Sequence, residues 1–67
     1  MTLKIEIERE EDGRWIAEVP SLPGCLGYGV TKEEAVRSTE ALALRILAER
    51  CEAGDDSFAR DAFAVPA

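Results

Sequence analysis

The sequence predicts an α+β fold in which a small antiparallel sheet packs against one long helix, in the chain order β-β-β-α-β. Three observations lead to this prediction: apolar and charged residues alternate near the N-terminus, an Asp-Gly turn separates that run from a second one, and residues 32–52 carry apolar side chains at helical spacing. Sheet and helix each have an apolar face, so these faces must bury one another. With 67 residues, the chain is expected to form a single domain, residues 1–67.

The first two strands are predicted from strict alternation. Residues 3–8 place one set of apolar side chains on a single face, namely Leu3, Ile5 and Ile7. Residues 14–19 do the same with Trp15, Ala17 and Val19. The polar residues between them end in Asp12-Gly13, a pair that tolerates the left-handed conformations of tight hairpins. Antiparallel pairing then places Trp15 in the core and leaves Ile16 on the outside.

A proline-rich turn is predicted to end the second strand. Pro20 and Pro23 restrict the backbone to extended and turn conformations, and Gly24 can adopt the positive φ that a turn after proline often requires. A third, short strand is expected at residues 25–30. Its two glycines suggest that another part of the backbone approaches closely.

The helix is predicted to span residues 32–52. Thr31 and Glu34 have the spacing of a capping box, and Gly54 is placed to end the helix in a left-handed conformation. At 100° per residue, six side chains fall on the stripe expected to cover the sheet: Val36, Thr39, Leu42, Ala43, Ile46 and Leu47.

A second, narrower apolar strip lies on the far side of this helix, and it contains Ala41, Leu44, Ala48 and Cys51. One interpretation is ordinary helix surface, because alanine is a good helix former and a single exposed leucine is common. The other is a homo-oligomer contact, in which the alanines let a second chain approach around Leu44. A chain this short buries only a small core, which favours oligomerisation.

The C-terminal residues are predicted to form an acidic loop at 53–57 and then a last edge strand. Phe58 and Phe63 are five residues apart and cannot share one face of a strand. We therefore expect Ala62 to Val65 to pair with the sheet, and Phe58 to cover the rim of the core.

Composition argues against several kinds of chemistry. The chain has no histidine and two cysteines, so no four-ligand zinc site is expected, and no spacing pairs a nucleophile with a base. We expect no catalytic residue, no cofactor and no metal. Cys25 is expected to pack in the interior, and two buried, reduced thiols favour a cytoplasmic location over a disulfide between Cys25 and Cys51.

Charge favours some partners over others. Fourteen acidic and eight basic residues give a net charge of −6, which repels phosphate and favours a basic protein partner over direct nucleic-acid binding. An acidic surface also keeps small domains soluble, so charge alone does not decide between these roles. No apolar run reaches the length of a membrane span, and the N-terminus does not read as a leader peptide.

Residues 20–35 resemble the signature of the HicB-like antitoxin family of small prokaryotic proteins, in which a strand ending P-x-L-P-G-C leads to G-x-T-x-E-E-A and a helix. The matching residues are Pro20, Leu22, Pro23, Gly24, Cys25, Gly29, Thr31, Glu33, Glu34 and Ala35. The hairpin around Glu11-Asp12-Gly13 is also similar, so the resemblance covers about residues 3–48.

The resemblance implies a partial ribonuclease-H-like domain that binds and neutralises HicA, a small basic toxin that cleaves mRNA, by covering its active face. It implies a binding protein and not an enzyme. Many members carry a C-terminal DNA-binding module, and we expect none here because about fifteen residues follow the helix. The alternative is an orphan homo-oligomeric domain, structural or regulatory, without a toxin partner.

Overall fold

The computed structural model describes residues 2–66 and has an α+β architecture. Three strands and two helices follow one another along the chain: β1 (Glu6–Arg9), β2 (Trp15–Glu18), β3 (Leu26–Gly29), α1 (Lys32–Glu52) and α2 (Ser57–Ala62). The strands form one sheet in the order β1-β2-β3, and both neighbouring pairs are antiparallel. The predicted order of three strands and a long helix is therefore confirmed.

The turns form where the sequence predicts them. Gly13 has φ +92° in the β1–β2 hairpin, where its N–H donates to the carbonyl of Glu10 at 3.0 Å. Gly24 has φ +82°, so this turn needs the conformation that glycine adopts without steric cost. The turn is closed by the N–H of Val19, which donates to the carbonyl of Cys25 at 2.9 Å.

Helix α1 has the predicted bounds because its ends are capped as expected. The N–H of Glu34 donates to the Thr31 hydroxyl at 3.1 Å, and the Glu34 carboxylate accepts from the N–H of Thr31 at 3.4 Å and from that of Val30 at 2.9 Å. This is a complete capping box. At the other end, Gly54 has φ +102° and its N–H donates to the carbonyl of Cys51.

Two glycines of β3 let α1 lie directly on the sheet. A Cβ at Gly27 would be 2.7 Å from the Thr39 hydroxyl oxygen, and a Cβ at Gly29 would be 2.5 Å from the backbone nitrogen of Ala35. The predicted close approach is confirmed, and its partner is the first half of α1. The helix packs mainly against β3 and β2, so β1 lies at the edge of the part of the sheet that α1 covers.

The core is small and lies between the proline turn and the middle of α1. Its buried cluster consists of Val19, Leu22, Cys25 and Ala43, with Leu3, Ile5, Leu42, Ile46 and Leu47 packed against it. Thr39 is fully buried, and its hydroxyl donates to the carbonyl of Ala17 at 2.8 Å. The predicted helix stripe thus faces the sheet, with Ala35 as an additional buried member.

One prediction about β2 needs correction. Trp15 is only half-buried, because its inner-face neighbours are Arg9 and Gly29, neither of which supplies an apolar side chain. The guanidinium of Arg9 lies 5.6 Å from the centre of the indole ring instead. Ile16 lies on the outer face of the sheet as expected, and it is half-buried there.

The predicted fourth strand is wrong. Residues 57–62 form α2, and Ala62 to Val65 pair with no strand of the described chain. At the end of α2, the N–H of Phe63 donates a hydrogen bond to the carbonyl of Ala59. An ion pair of 3.2 Å joins Arg60 to Asp56. Phe58 is half-buried and lines the rim of the core, as predicted.

Candidate functional site

The sequence motif of residues 20–35 is a structural feature of the fold. Its members include Pro20, Leu22, Pro23, Gly24, Cys25, Gly29, Thr31, Glu34 and Ala35. Leu22, Cys25 and Ala35 are buried, whereas the two prolines and Gly24 are exposed in the turn. Together these residues shape the turn, bring the helix against β3 and start it with a cap.

The two cysteines occupy different environments. Cys25 is 1% exposed, and its thiol donates to the carbonyl of Thr39 at 3.6 Å. Burial raises the pKa of the Cys25 thiol above its ordinary value, so the group remains a neutral packing residue. Cys51 is exposed, contrary to the expectation of two buried thiols, and neither cysteine forms a disulfide.

The outer face of the sheet carries a concentrated negative charge. It consists of the strand side chains that point away from α1, namely Glu6, Glu8, Ile16, Glu18, Leu26 and Tyr28. We call it the acidic sheet face. Three carboxylates and Ile16 line a shallow depression of about 110 Å³ on it. Tyr28 is 48% exposed and lies directly opposite Ile16, so the charged face has an apolar centre.

The strand register places like charges together on this face. Glu6 lies directly opposite Glu18, an arrangement that destabilises an antiparallel pair. Within residues 2–66, ion pairs join Arg14 to Asp12 and Arg60 to Asp56, and neither pair involves these glutamates. Within residues 2–66, Glu6, Glu8 and Glu18 therefore form no ion pair with a basic side chain.

The β1–β2 turn extends the negative surface. Asp12 accepts from the backbone N–H of Arg14 at 3.0 Å and from its guanidinium at 2.8 Å. These hydrogen bonds, the backbone one foremost, lower the pKa of Asp12, so its carboxylate stays ionised. The same guanidinium lies 5.2 Å from the centre of the Tyr28 ring. Arg14 is thus held by Asp12 and Tyr28 at one end of the acidic sheet face.

The helix strip predicted as an oligomer contact is exposed along its length. Ala41, Leu44 and Ala48 are all accessible, and Leu44 is 65% exposed. Leu44 also lines two apolar grooves. One, of about 260 Å³, lies beside Leu3, Ile5 and Phe58, and the other, of about 270 Å³, lies beside Ala48, Cys51 and Phe63.

Sequence reasoning identified the helix strip but assigned no role to the acidic sheet face. Glu6, Glu8 and Glu18 were visible as the polar side of alternating strands, which is the usual pattern of a solvated face. Their significance depends on the cross-strand register, and the turn geometry that fixes this register is not explicit in the alternation.

Residues 2–66 contain neither a candidate metal cluster nor a candidate membrane-spanning helix. Among residues 2–66, no three His, Cys, Asp or Glu side chains lie together in a way that could hold a metal ion. Over the same residues, neither helix combines the length and apolar character that a membrane crossing requires.

The fold and its exposed faces define a small α+β domain with an acidic face on the sheet and an apolar one on the helix side. UPF0150 protein Ta0767 of Thermoplasma acidophilum is 34% identical to this chain over 61 residues, which cover 91% of the chain and 87% of that protein. The chain belongs to the UPF0150 family. No protein-family model matches the sequence, and no solved structure matches the chain.

Proposed function

We propose that this protein is a HicB-like antitoxin that binds a small basic mRNA interferase of the HicA type. The observation that carries the proposal is the acidic sheet face, where Glu6 and Glu18 face each other and neither forms an ion pair within residues 2–66. A lysine or arginine of a partner placed between them would relieve their repulsion. The resemblance of residues 20–35 to the antitoxin signature supports the same role.

The chemistry of the face suits a basic protein partner. Ile16 and Tyr28 form an apolar centre, and the glutamates surround it on β1 and β2. Interfaces commonly combine an aromatic anchor with a charged rim. The net charge of −6 would accelerate encounter with a basic partner and select against acidic ones. In this proposal the protein acts by binding and covering the active face of its partner, without catalysis of its own.

The first experiment is a tagged pull-down from the organism that encodes this chain, followed by identification of stoichiometric partners. We expect a small basic protein whose mRNA cleavage stops when this protein is added. Recovery of the protein alone, in a defined oligomer, would contradict the antitoxin proposal and favour an orphan domain.

A matched pair of variants locates the binding face. Glu6→Gln combined with Glu18→Gln removes the facing charges and keeps the side-chain shapes, so partner binding should fall and become less sensitive to salt. The control, Glu49→Gln with Asp61→Asn, makes the same change in net charge on exposed residues of α1 and α2. Equal losses in both variants would show that net charge, and not this face, attracts the partner.

A further inference from the structure

The surface area of the chain is too large for a compact monomer of its size. A folded protein of 7.3 kDa exposes about 4,200 Å² on average, whereas this chain exposes 5119 Å². Its radius of gyration is 14.0 Å, against about 11 Å for a compact chain of this length. The excess of about 900 Å² belongs to an elongated chain, 52 Å in its longest dimension, and it compares with the roughly 800 Å² that each partner buries in a standard protein interface.

Much of the exposed apolar surface lies on the helix side of the molecule. Leu44 is 65% exposed and Phe63 is 69% exposed, and both line the apolar groove that runs between α1 and α2. The second groove joins it at Leu44 and extends toward Leu3 and Ile5. We call this surface the open helix face. It consists of the apolar strip of Ala41, Leu44, Ala48 and Cys51, together with the two grooves that meet at Leu44.

We propose that the open helix face binds the same face of a second copy of this chain, with the two α1 helices antiparallel and Leu44 close to the two-fold axis. A two-fold dimer places one patch against itself, so the patch must be self-complementary. Leu44 has a small residue on either side along the strip, Ala41 before it and Ala48 after it. A leucine between two small residues can pack against its own copy.

Charge distinguishes the antiparallel arrangement from the parallel one. Arg37 and Cys51 are each seven residues from Leu44, on the same side of the helix. In the antiparallel dimer, Arg37 lies opposite Cys51 of the second copy, beside Glu52 and the negative end of the partner helix. A parallel dimer would place Arg37 against Arg37, which is repulsive.

The acidic sheet face gives a reason why the second copy and the basic partner would use different surfaces. The two grooves are lined mainly by apolar side chains, and their acidic members are Glu40 and Asp55. A basic partner gains most at Glu6, Glu8 and Glu18, on the opposite side of the sheet from α1. The dimer proposal therefore stands independently of the antitoxin proposal.

The test is the mass of the full chain in solution, measured by light scattering over a range of concentrations. We expect twice the 7.3 kDa of a single chain. Leu44→Lys should reduce the mass to that of one chain. This substitution also makes the net charge less negative, which lowers the repulsion between copies, so charge repulsion would not explain the smaller mass. Val30→Lys is the matched control, because Val30 is 79% exposed and lies outside both grooves, and it should remain dimeric.

A cross-linking experiment tests the arrangement without relying on a variant that could unfold. Arg37→Cys should form a disulfide with Cys51 of the second copy under mild oxidation. Within one chain these positions are about 21 Å apart along α1, too far for a disulfide, so a linked species must be a dimer. Arg45→Cys removes the same charge at a site about 100° around the helix, and it should give only the background of the unmodified chain.

Three results would overturn the proposal. The first is a single-chain mass for the unmodified protein at every concentration, and the second is an unchanged dimer in a folded Leu44→Lys variant. The third is efficient linkage of Cys51 to Cys51 in the unmodified chain, which would indicate parallel helices. Leu44→Lys should still bind the basic partner, and the Glu6→Gln and Glu18→Gln variant should still dimerise, so the two proposals can fail separately.

Discussion

The two halves of helix α1 differ in how the rest of the chain covers them. Within residues 2–66, every fully buried residue lies between Ala17 and Ala43, and none lies in residues 44–66. Buried helix positions recur every four residues, at Ala35, Thr39 and Ala43, and then stop. We call residues 17–43 the closed region and residues 44–66 the open region.

The difference follows from the lengths of the elements. Each strand has four residues and spans about 13 Å, whereas α1 has 21 residues and spans about 31 Å. The sheet is therefore too short to cover the whole helix, and α2 covers little of the remainder. One helix thus serves as a core element in its first half and as an exposed surface in its second.

Truncating one leucine in each region should give the largest difference in the free energy of unfolding. Leu22 is 4% exposed in the core, so Leu22→Ala should lower the free energy of unfolding by about 2 to 5 kcal/mol. Leu44→Ala, at a residue 65% exposed, should change the monomer by less than about 0.5 kcal/mol. Urea unfolding at concentrations below those that give a dimer measures both. Equal losses would mean that the two regions do not differ as described.

Replacing one glycine in each region should give a smaller difference in stability than replacing the two leucines. In Gly29→Ala, the new Cβ would meet the backbone of Ala35 and Thr31 at 2.5 and 2.9 Å, so β3 and α1 must separate, at a cost of about 3 kcal/mol. Gly54→Ala meets no atom within 4 Å, and only its left-handed backbone, φ +102°, opposes the change, at about 1 kcal/mol. Thermal unfolding followed by circular dichroism compares them. A tolerated Gly29→Ala would contradict the close packing of β3 and α1.

Sequence reasoning worked best in the closed region, where local signals and tertiary packing agree. The capping box of Thr31 and Glu34, the Gly24 turn and the glycines of β3 each predict a feature that the structure confirms. Each of these signals lies within a few residues of the feature that it determines. The core-facing stripe of α1 was also predictable, because helical periodicity does not depend on how long the sheet is.

Prediction failed where the outcome depends on what a segment packs against. Residues 62–65 alternate too briefly to specify a strand, while residues 57–62 form a short helix whose Phe58 packs at the rim of the core. Trp15 is on the expected face, but its exposure is set by Arg9 and Gly29 across the sheet. Strand register also pairs Glu6 with Glu18, and that pairing creates the proposed binding face.

The two cysteines provide the smallest expected effect on stability and a sensitive test of access. Cys51 should react readily with Ellman's reagent because it is exposed, whereas Cys25 should react only when the closed region opens. Rapid labelling of both thiols in the folded protein would contradict a closed core around Cys25. Labelling of Cys51→Ala isolates the reaction of Cys25.

Titration of Cys25 should also make stability depend on pH at the alkaline end. The folded pKa of this thiol lies above its ordinary value of 9.0, so above pH 9.0 the unfolded chain releases a proton that the folded chain retains. The contribution of Cys25 to the free energy of unfolding is therefore fully present below pH 9.0 and is lost as the pH rises toward the folded pKa. The loss is less than about 1.4 kcal/mol per pH unit. Urea unfolding of Cys25→Ala and Cys51→Ala between pH 7 and pH 10 separates this effect from other titrations. Cys51→Ala should retain the alkaline loss, and Cys25→Ala should show a smaller one, because burial in the folded chain raises the pKa of the Cys25 thiol.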